Sequence, residues 1–275
     1  MSAPVALPPG VELILAPNPS LLTGPGTNTF LITDEAAGEV VVIDPGPGMP
    51  EHLRRVADAV AERGQARAIL VTHGHPDHAD GAAALRELLG APVCAWSREG
   101  VPATDTTLSD NEIVPVGSRG VRTLYTPGHR FDHLTFLLED SDALFAGDLI
   151  AGVGTVVIAP PEGDLLAYMA SLQRLSPLEL RLILPAHGPA LDDPQAVVRY
   201  YITHRQERER QVVAALAAGP QTVAELVNVV YADVNADLHP IAAHSLLAHL
   251  YKLEHEKRVH RKTSADGVER WSLGA

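Results

Sequence analysis

Six consecutive residues, His73-Gly74-His75-Pro76-Asp77-His78, place three imidazoles and a carboxylate directly behind the apolar run Arg67 to Thr72. No other feature narrows the structure of this chain so far. A chance H-x-H-x-D-H match in a chain of this composition is expected roughly twice in a thousand, and neutral imidazole and carboxylate are ligands that suit zinc. Cys94 is the single cysteine, so there is neither an internal disulfide nor a thiolate site, and a metal must be held by histidine and carboxylate. Four ligands from one motif are too many for one catalytic zinc, which keeps a coordination position open. A second ion needs further ligands. Three candidates each stand at the end of a strand-like run: His129 in YTPGH, Asp148 in LFAGD and His187 in LPAHG. The seven together fit two zinc ions.

The surrounding pattern is α/β. Short β-branched runs ending in turn residues (VELILA, NTFLIT, EVVVIDPG, APVCAW, EIVPV, VRTLYT, HLTFLL, ALFAG, LRLILP) read as strands. Helical periodicity over about Pro50 to Arg63, Ala79 to Leu89 and Leu165 to Leu175 supplies helices between them. From about Pro194 the pattern changes. A long helix carries HRQERER; Thr222 and Glu225 open a second helix as a capping box; a third follows Pro240; and KRVHRKTS and VERWSL flank an Ala265-Asp266-Gly267 hairpin turn. Helix, helix and hairpin in so short a span predict a small winged helix. Residues 1–198 are therefore expected to form the catalytic domain, and 199–275 the long helix plus winged-helix domain.

The H-x-H-x-D-H motif followed by PGH, GD and AHG resembles the metallo-β-lactamase superfamily, over about residues 10 to 190. That resemblance implies an αββα sandwich with a dinuclear site. It implies His73, His75 and His129 on the first zinc, Asp77, His78 and His187 on the second, Asp148 bridging, and Asp44 as the acceptor that orients the motif histidines. A plain turn role for Asp44 before Pro45 is the alternative. The segments NPSLLTGPGTNTFLI, RTLYTPGHRFDHLTFLL and YITHRQERE, with the winged helix, resemble the β-lactamase-like protein 2 type, which implies an endoribonuclease acting on single-stranded RNA. Glyoxalase II shares the seven ligands but reads histidine where this chain has Gly74, and the best-known β-lactamases have cysteine at the place of Asp148. Antibiotic hydrolysis is thus disfavoured as the main role, leaving at most a weak side activity.

Two zincs about 3.5 to 4 Å apart can lower the pKa of a shared water and aim the hydroxide at an electrophile. Asp77 can accept a proton from that nucleophile as well as bind metal. His133, four residues after His129, is the candidate to orient the site or protonate the leaving group; a surface position at a strand edge is the alternative.

Charge bears on the substrate. Residues 1–198 carry 11 Lys and Arg against 25 Asp and Glu, a formal −14, whereas 199–275 carry 10 against 9. The acidic part repels a polyanion, so RNA would have to dock on the tail, where Lys257, Arg258, Arg261 and Lys262 are the candidates. If those cations are merely solvated, the tail packs on the catalytic part or on a second subunit of a homodimer. The leading expectation is RNA cleavage, with hydrolysis of a small thioester or lactone of the glyoxalase II kind as the second. A purely DNA-binding role, leaning on the winged helix, is set aside because the ligand set is complete. The first basic residue is Arg54, and the longest uncharged central stretch, Leu149 to Pro161, is too short to span a bilayer. The expectation is a cytoplasmic protein with no membrane partner.

Overall fold

The computed structural model describes residues 5–219, 221–263 and 267–274. They form two compact units. The first comprises residues up to Thr126 with Asp132–Val156 and Pro177–Val197; the second comprises Pro127–Phe131, Val157–Ser176 and the chain from Val198.

The first unit holds two sheets. Strands β1 (Val11–Leu15), β2 (Asn28–Asp34), β3 (Glu39–Ile43), β4 (Gln65–Leu70), β5 (Val93–Ala95) and β6 (Thr106–Thr107) form one in that order, antiparallel as far as β3 and parallel from there on. The other has the order β11 (Leu182–Pro185), β10 (Ala143–Gly147), β9 (Leu134–Leu138), β8 (Arg119–Tyr125) and β7 (Ile113–Val116), with β10 and β11 parallel and the rest antiparallel. The run VVVI of β3 is apolar throughout because both faces of the strand are covered. Val41 and Ile43 join Phe30, Phe136 and Phe145 in the core between the sheets. Val40 and Val42 pack instead with Leu53, Val56 and Val60 of α1 (Pro50–Arg63) and Leu85 of α3 (Ala82–Leu89). Helix α1 begins with Pro50, whose missing N–H costs nothing in the first turn. Cys94 lies in the core between the sheets, where burial pushes its thiol up to about 11.

The motif departs from expectation in one respect. In place of a loop followed by one helix from Ala79 to Leu89, Pro76–Ala79 forms a single helical turn, α2, separate from α3. The break falls at Gly81, whose N–H donates to Gly46 O across the loop. The strand β6, two exposed threonines, has no periodicity for sequence reading to find.

In the second unit α4 (Leu165–Leu175) is capped by Asp164, whose side chain accepts from Ala167 N. Helices α5 (Pro194–Leu216), α6 (Val223–Val230) and α7 (His239–His255) precede the hairpin β12 (Val259–Thr263) and β13 (Glu269–Leu273). The expected capping box is present, with Glu225 N donating to Thr222 Oγ1 and Thr222 N to Glu225 Oε2. Val212, Leu216, Leu226, Val230, Leu246, Leu250 and Leu253 enclose Trp271, which is fully buried. Helix, helix and wing thus close on their own core. Ala265 and Asp266 of the expected hairpin turn lie outside the described residues. Among the described residues no helix is long and apolar enough to cross a membrane.

Candidate metal centre

The site is assembled from strand ends. Strand β3 runs into Asp44, β4 into Thr72 and the motif, β10 into Asp148 and β11 into His187. Because β3 pairs with β4 and β10 with β11 in parallel, the carboxyl ends lie side by side within each pair, the usual place for a site in parallel sheets. Within the motif Pro76 holds His75 extended (ψ 145°) and starts the turn that carries Asp77 and His78. Gly74 is required by close approach: a Cβ there would lie 2.0 Å from Gly100 O, while Asp132 Oδ2 accepts the Gly74 N–H at 2.9 Å. The histidine of the glyoxalase II pattern has no room here.

Asp44, 2% exposed and at φ 51°, accepts Thr72 N at 2.8 Å, Thr72 Oγ1 at 2.9 Å and His78 Nδ1 at 2.9 Å. A turn residue alone would not be so engaged; the carboxylate fixes the orientation of the motif. Since Thr72 Oγ1 donates to Asp44, it accepts from His73 Nδ1 at 3.0 Å. His187 Nδ1 donates to Gly26 O at 3.3 Å, and His129 Nδ1 to Val157 O at 2.8 Å. Four imidazoles therefore spend their Nδ1 proton on an acceptor behind them and turn Nε2 to the site, as metal-bound histidines do.

The front of the site fits metal. His73 Nε2 and His75 Nδ1 face each other at 2.9 Å, close enough to share a proton or a cation, and His78 Nε2 is buried without a hydrogen-bond partner. The ligand atoms of His73, His75, His129 and Asp148 form one group, and those of Asp77, His78 and His187 another, each within 4.8 Å. Asp148 reaches both groups: its carboxylate lies 4.0 Å from His73 Nε2, 3.6 Å from His78 Nε2 and 3.3 Å from His187 Nε2. Electrostatics agree with a site built for positive charge. Burial would raise Asp77 and Asp148, but the neighbouring histidines hold Asp77 at about 2 and Asp148 well below the usual carboxylate range. Burial would lower His187, but hydrogen bonds to Asp148 and Asp77 lift it to about 9.

His133 keeps one of its two expected roles. It is fully buried, not at a surface edge, and its Nε2 accepts the Asp148 N–H at 3.0 Å while Nδ1 donates to Thr126 Oγ1 at 3.1 Å. With Nε2 occupied by a backbone donor it has no proton to deliver to a leaving group, so of its two expected roles only orientation fits. Gly147 makes room for it, since a Cβ there would lie 2.7 Å from His133 Nε2. Sequence reading also overlooked Thr27, whose Oγ1 donates to Asp77 Oδ2 at 3.1 Å; a threonine in a Gly/Pro-rich loop carries no ligand signal.

Replacing Asp44 with Ala leaves Thr72 N and His78 Nδ1 buried without their acceptor. Metal affinity should fall on the order of 10- to 100-fold, and stability by about 1 to 3 kcal/mol. Chelator competition and denaturant melts of the variant measure both.

On the wing the four expected docking residues divide. Arg258 pairs with Glu209 and Glu256, and Arg261 lies 3.4 Å from Glu254 and 3.5 Å from Glu269 with its guanidinium over Tyr251 and Trp271. Lys252 is held by Glu209 and Glu256, both at 2.6 Å. Among the described residues Lys257 and Lys262 make no ion pair.

Comparison with known proteins places this geometry. Residues 22–187 match the metallo-beta-lactamase superfamily, and residues 222–271 the beta-lactamase associated winged helix domain. The chain is 32% identical to a beta-lactamase-like protein 2 homolog of Drosophila melanogaster, over 92% of this chain and 90% of that one. It is also 32% identical to an atrochrysone carboxyl ACP thioesterase of Aspergillus chevalieri, over 96% of this chain and 87% of the relative. Among solved structures, a metallo-beta-lactamase family protein of Thermus thermophilus superposes with a TM-score of 0.81 at 26% identity, covering 98% of this chain and all of that one.

Proposed function

The chain belongs to the metallo-beta-lactamase superfamily, and on that premise we propose that it is a dinuclear zinc hydrolase whose substrate is an acyl thioester. The observation that carries the metal reading is the set of imidazoles whose Nδ1 protons are all turned away onto acceptors, leaving their Nε2 atoms and two carboxylates facing one another. Bound zinc would supply Lewis acidity and lower the pKa of water. The protein supplies the rest. His73, His75 and His129 would hold one ion, Asp77, His78 and His187 the other, and Asp148 both, with Asp44 and His133 fixing their orientation. Asp77, kept ionised by His187 and His78, is the base within the site that takes the proton from the attacking water.

Charge favours the thioester, and relatedness is equally open to it. The first 198 residues carry a formal −14, and the cations that could offset it on the wing are largely spent on internal pairs with Glu209, Glu254, Glu256 and Glu269. Of the four expected docking residues a polyanion would find only Lys257 and Lys262 outside ion pairs among the described residues, too few by themselves for the several phosphate contacts that RNA affinity rests on. The thioesterase relative matches nearly the whole chain. Cleavage of single-stranded RNA is the second reading, supported by the full-length likeness to the β-lactamase-like protein 2 type.

One assay separates the two. The zinc-loaded protein and its Lys257→Ala/Lys262→Ala variant are given an acyl thioester, single-stranded RNA and a chromogenic cephalosporin side by side across a salt series. Thioester turnover is expected, and equal in the two proteins. RNA cleavage without thioester turnover, weakened in the variant more at moderate than at low salt, would put the second reading in place of the first.

A further inference from the structure

The loop between β1 and β2 reaches the candidate metal centre from behind, and two adjacent residues at its end contact the same group of ligands. Thr27, fully buried, donates its hydroxyl to Asp77 Oδ2 at 3.1 Å. The carbonyl of Gly26, one residue earlier, accepts His187 Nδ1 at 3.3 Å. Asp77 and His187 belong, with His78, to the second of the two ligand groups. In the first group His73 is oriented by Thr72 and His129 by the Val157 carbonyl.

The dipeptide is itself clamped. Asn18 grips Thr27 with both ends of its amide, Nδ2 donating to Thr27 Oγ1 at 2.9 Å and Oδ1 accepting Thr27 N at 2.9 Å. Because the Thr27 hydroxyl accepts from Asn18, its own proton is directed at Asp77. Asn18 is tied in turn to the loop: its carbonyl accepts Thr23 Oγ1 at 2.6 Å, and Ala16 O accepts the Asn18 N–H at 3.0 Å. Gly26 lies at φ 149° with Ala16 O only 1.9 Å from where a Cβ would stand, so the loop closes this tightly only with glycine there. Thr27 also bridges to His187 in antiparallel fashion, and Asn28 N donates to Ala186 O, so the segment lies against the strand end that presents His187.

We propose that Asn18, Gly26 and Thr27 are positioning residues dedicated to the second metal, setting the rotamer of Asp77 and the ring plane of His187 without touching the first. The inference rests on the reading of the cluster as a two-metal centre. Loss of a single outer hydrogen bond to a metal ligand costs on the order of 10- to 100-fold in affinity. The Thr27 hydroxyl should therefore govern the second binding step alone.

The test uses the full chain stripped of metal and titrated with zinc against a chelating indicator, so that binding is read without reference to activity. Thr27→Val keeps the shape and removes the hydroxyl; Thr27→Ser keeps the hydroxyl. Wild type should bind two ions. Thr27→Val should retain the first affinity, lose roughly 10- to 100-fold in the second, and melt in the metal-free state close to wild type, while Thr27→Ser restores the second step. Asn18→Ala should show a smaller loss of the same kind. Cobalt substitution adds a spectroscopic signature, with the d–d bands of the second equivalent shifted in Thr27→Val and recovered in Thr27→Ser. Equal weakening of both steps together with a lower melting temperature of the metal-free variant would make Thr27 merely structural and overturn the proposal, as would an unchanged second step. Wild type binding no zinc would overturn the two-metal reading itself, a different result from either.

Discussion

Asp148→Ala should abolish turnover on every substrate while the protein remains folded. The carboxylate lies within 4.0 Å of His73 Nε2 on one side and of His78 and His187 Nε2 on the other, so its removal takes a ligand from both groups at once. It also removes the negative charge that would screen two nearby dications from each other. His187→Ala is the contrast, because His187 belongs to the second group alone. Metal analysis after gel filtration should give close to two zinc ions for wild type, about one for His187→Ala and less than one for Asp148→Ala, with far-ultraviolet circular dichroism unchanged in all three. The core between the sheets is apolar and shares no residue with the site, which is why the fold should survive. Wild-type turnover in Asp148→Ala would remove the bridging assignment.

Much of this centre could be read without coordinates, and the physical reason is that its chemistry is written in residue types. Imidazole and carboxylate at short spacing behind an apolar run have few structural uses, so the motif and the three later strand-end residues stand out against the α/β pattern. Strand β3 was legible because burial on both faces leaves the unbroken β-branched run VVVI, and α1 because Pro50 and the apolar spacing mark its start and inner face. What escaped was whatever depends on neighbours distant in sequence. The helical turn at Pro76 is separated from α3 by Gly81 turning its N–H to Gly46, far back along the chain. His133 has the same residue type as a ligand, and only the Asp148 N–H on its ring nitrogen reveals that its role is support. Thr27 and Asn18 act through hydroxyl and amide groups that are common in any loop. The basic ridge on the wing is the converse: the cations are plain in the sequence, but the glutamates that neutralise Arg258 and Arg261 come from α5, α7 and the opposite strand.

Stripping the metal should make the protein's stability fall as pH rises from about 6.5 to about 9, and metal should abolish that fall. The group responsible is His187: burial works against its charged form, yet hydrogen bonds to Asp148 and Asp77 raise it from 6.5 to about 9. His78, where burial is likewise outweighed by Asp148 and Asp44, is shifted in the same direction. A group whose folded value lies above its unfolded one binds a proton more tightly when folded. Its contribution is therefore complete below pH 6.5 and is lost as pH climbs through 9, on the order of 3 kcal/mol for His187. In a chain of this size that corresponds to roughly 5 to 10 °C in melting temperature. Asp77, held at about 2, changes nothing in this window, because it is ionised in both states throughout. Metal reverses the sign, since a ligating imidazole must give up the same proton: zinc affinity should rise as pH increases over the interval in which the metal-free protein weakens. Melting curves of chelated and zinc-loaded protein, taken in small steps across that interval, should accordingly diverge, the gap widening until His187 is deprotonated in both. Parallel curves would mean that the proton on His187 is not exchanged for metal, and that the cluster owes its charge balance to the histidines themselves.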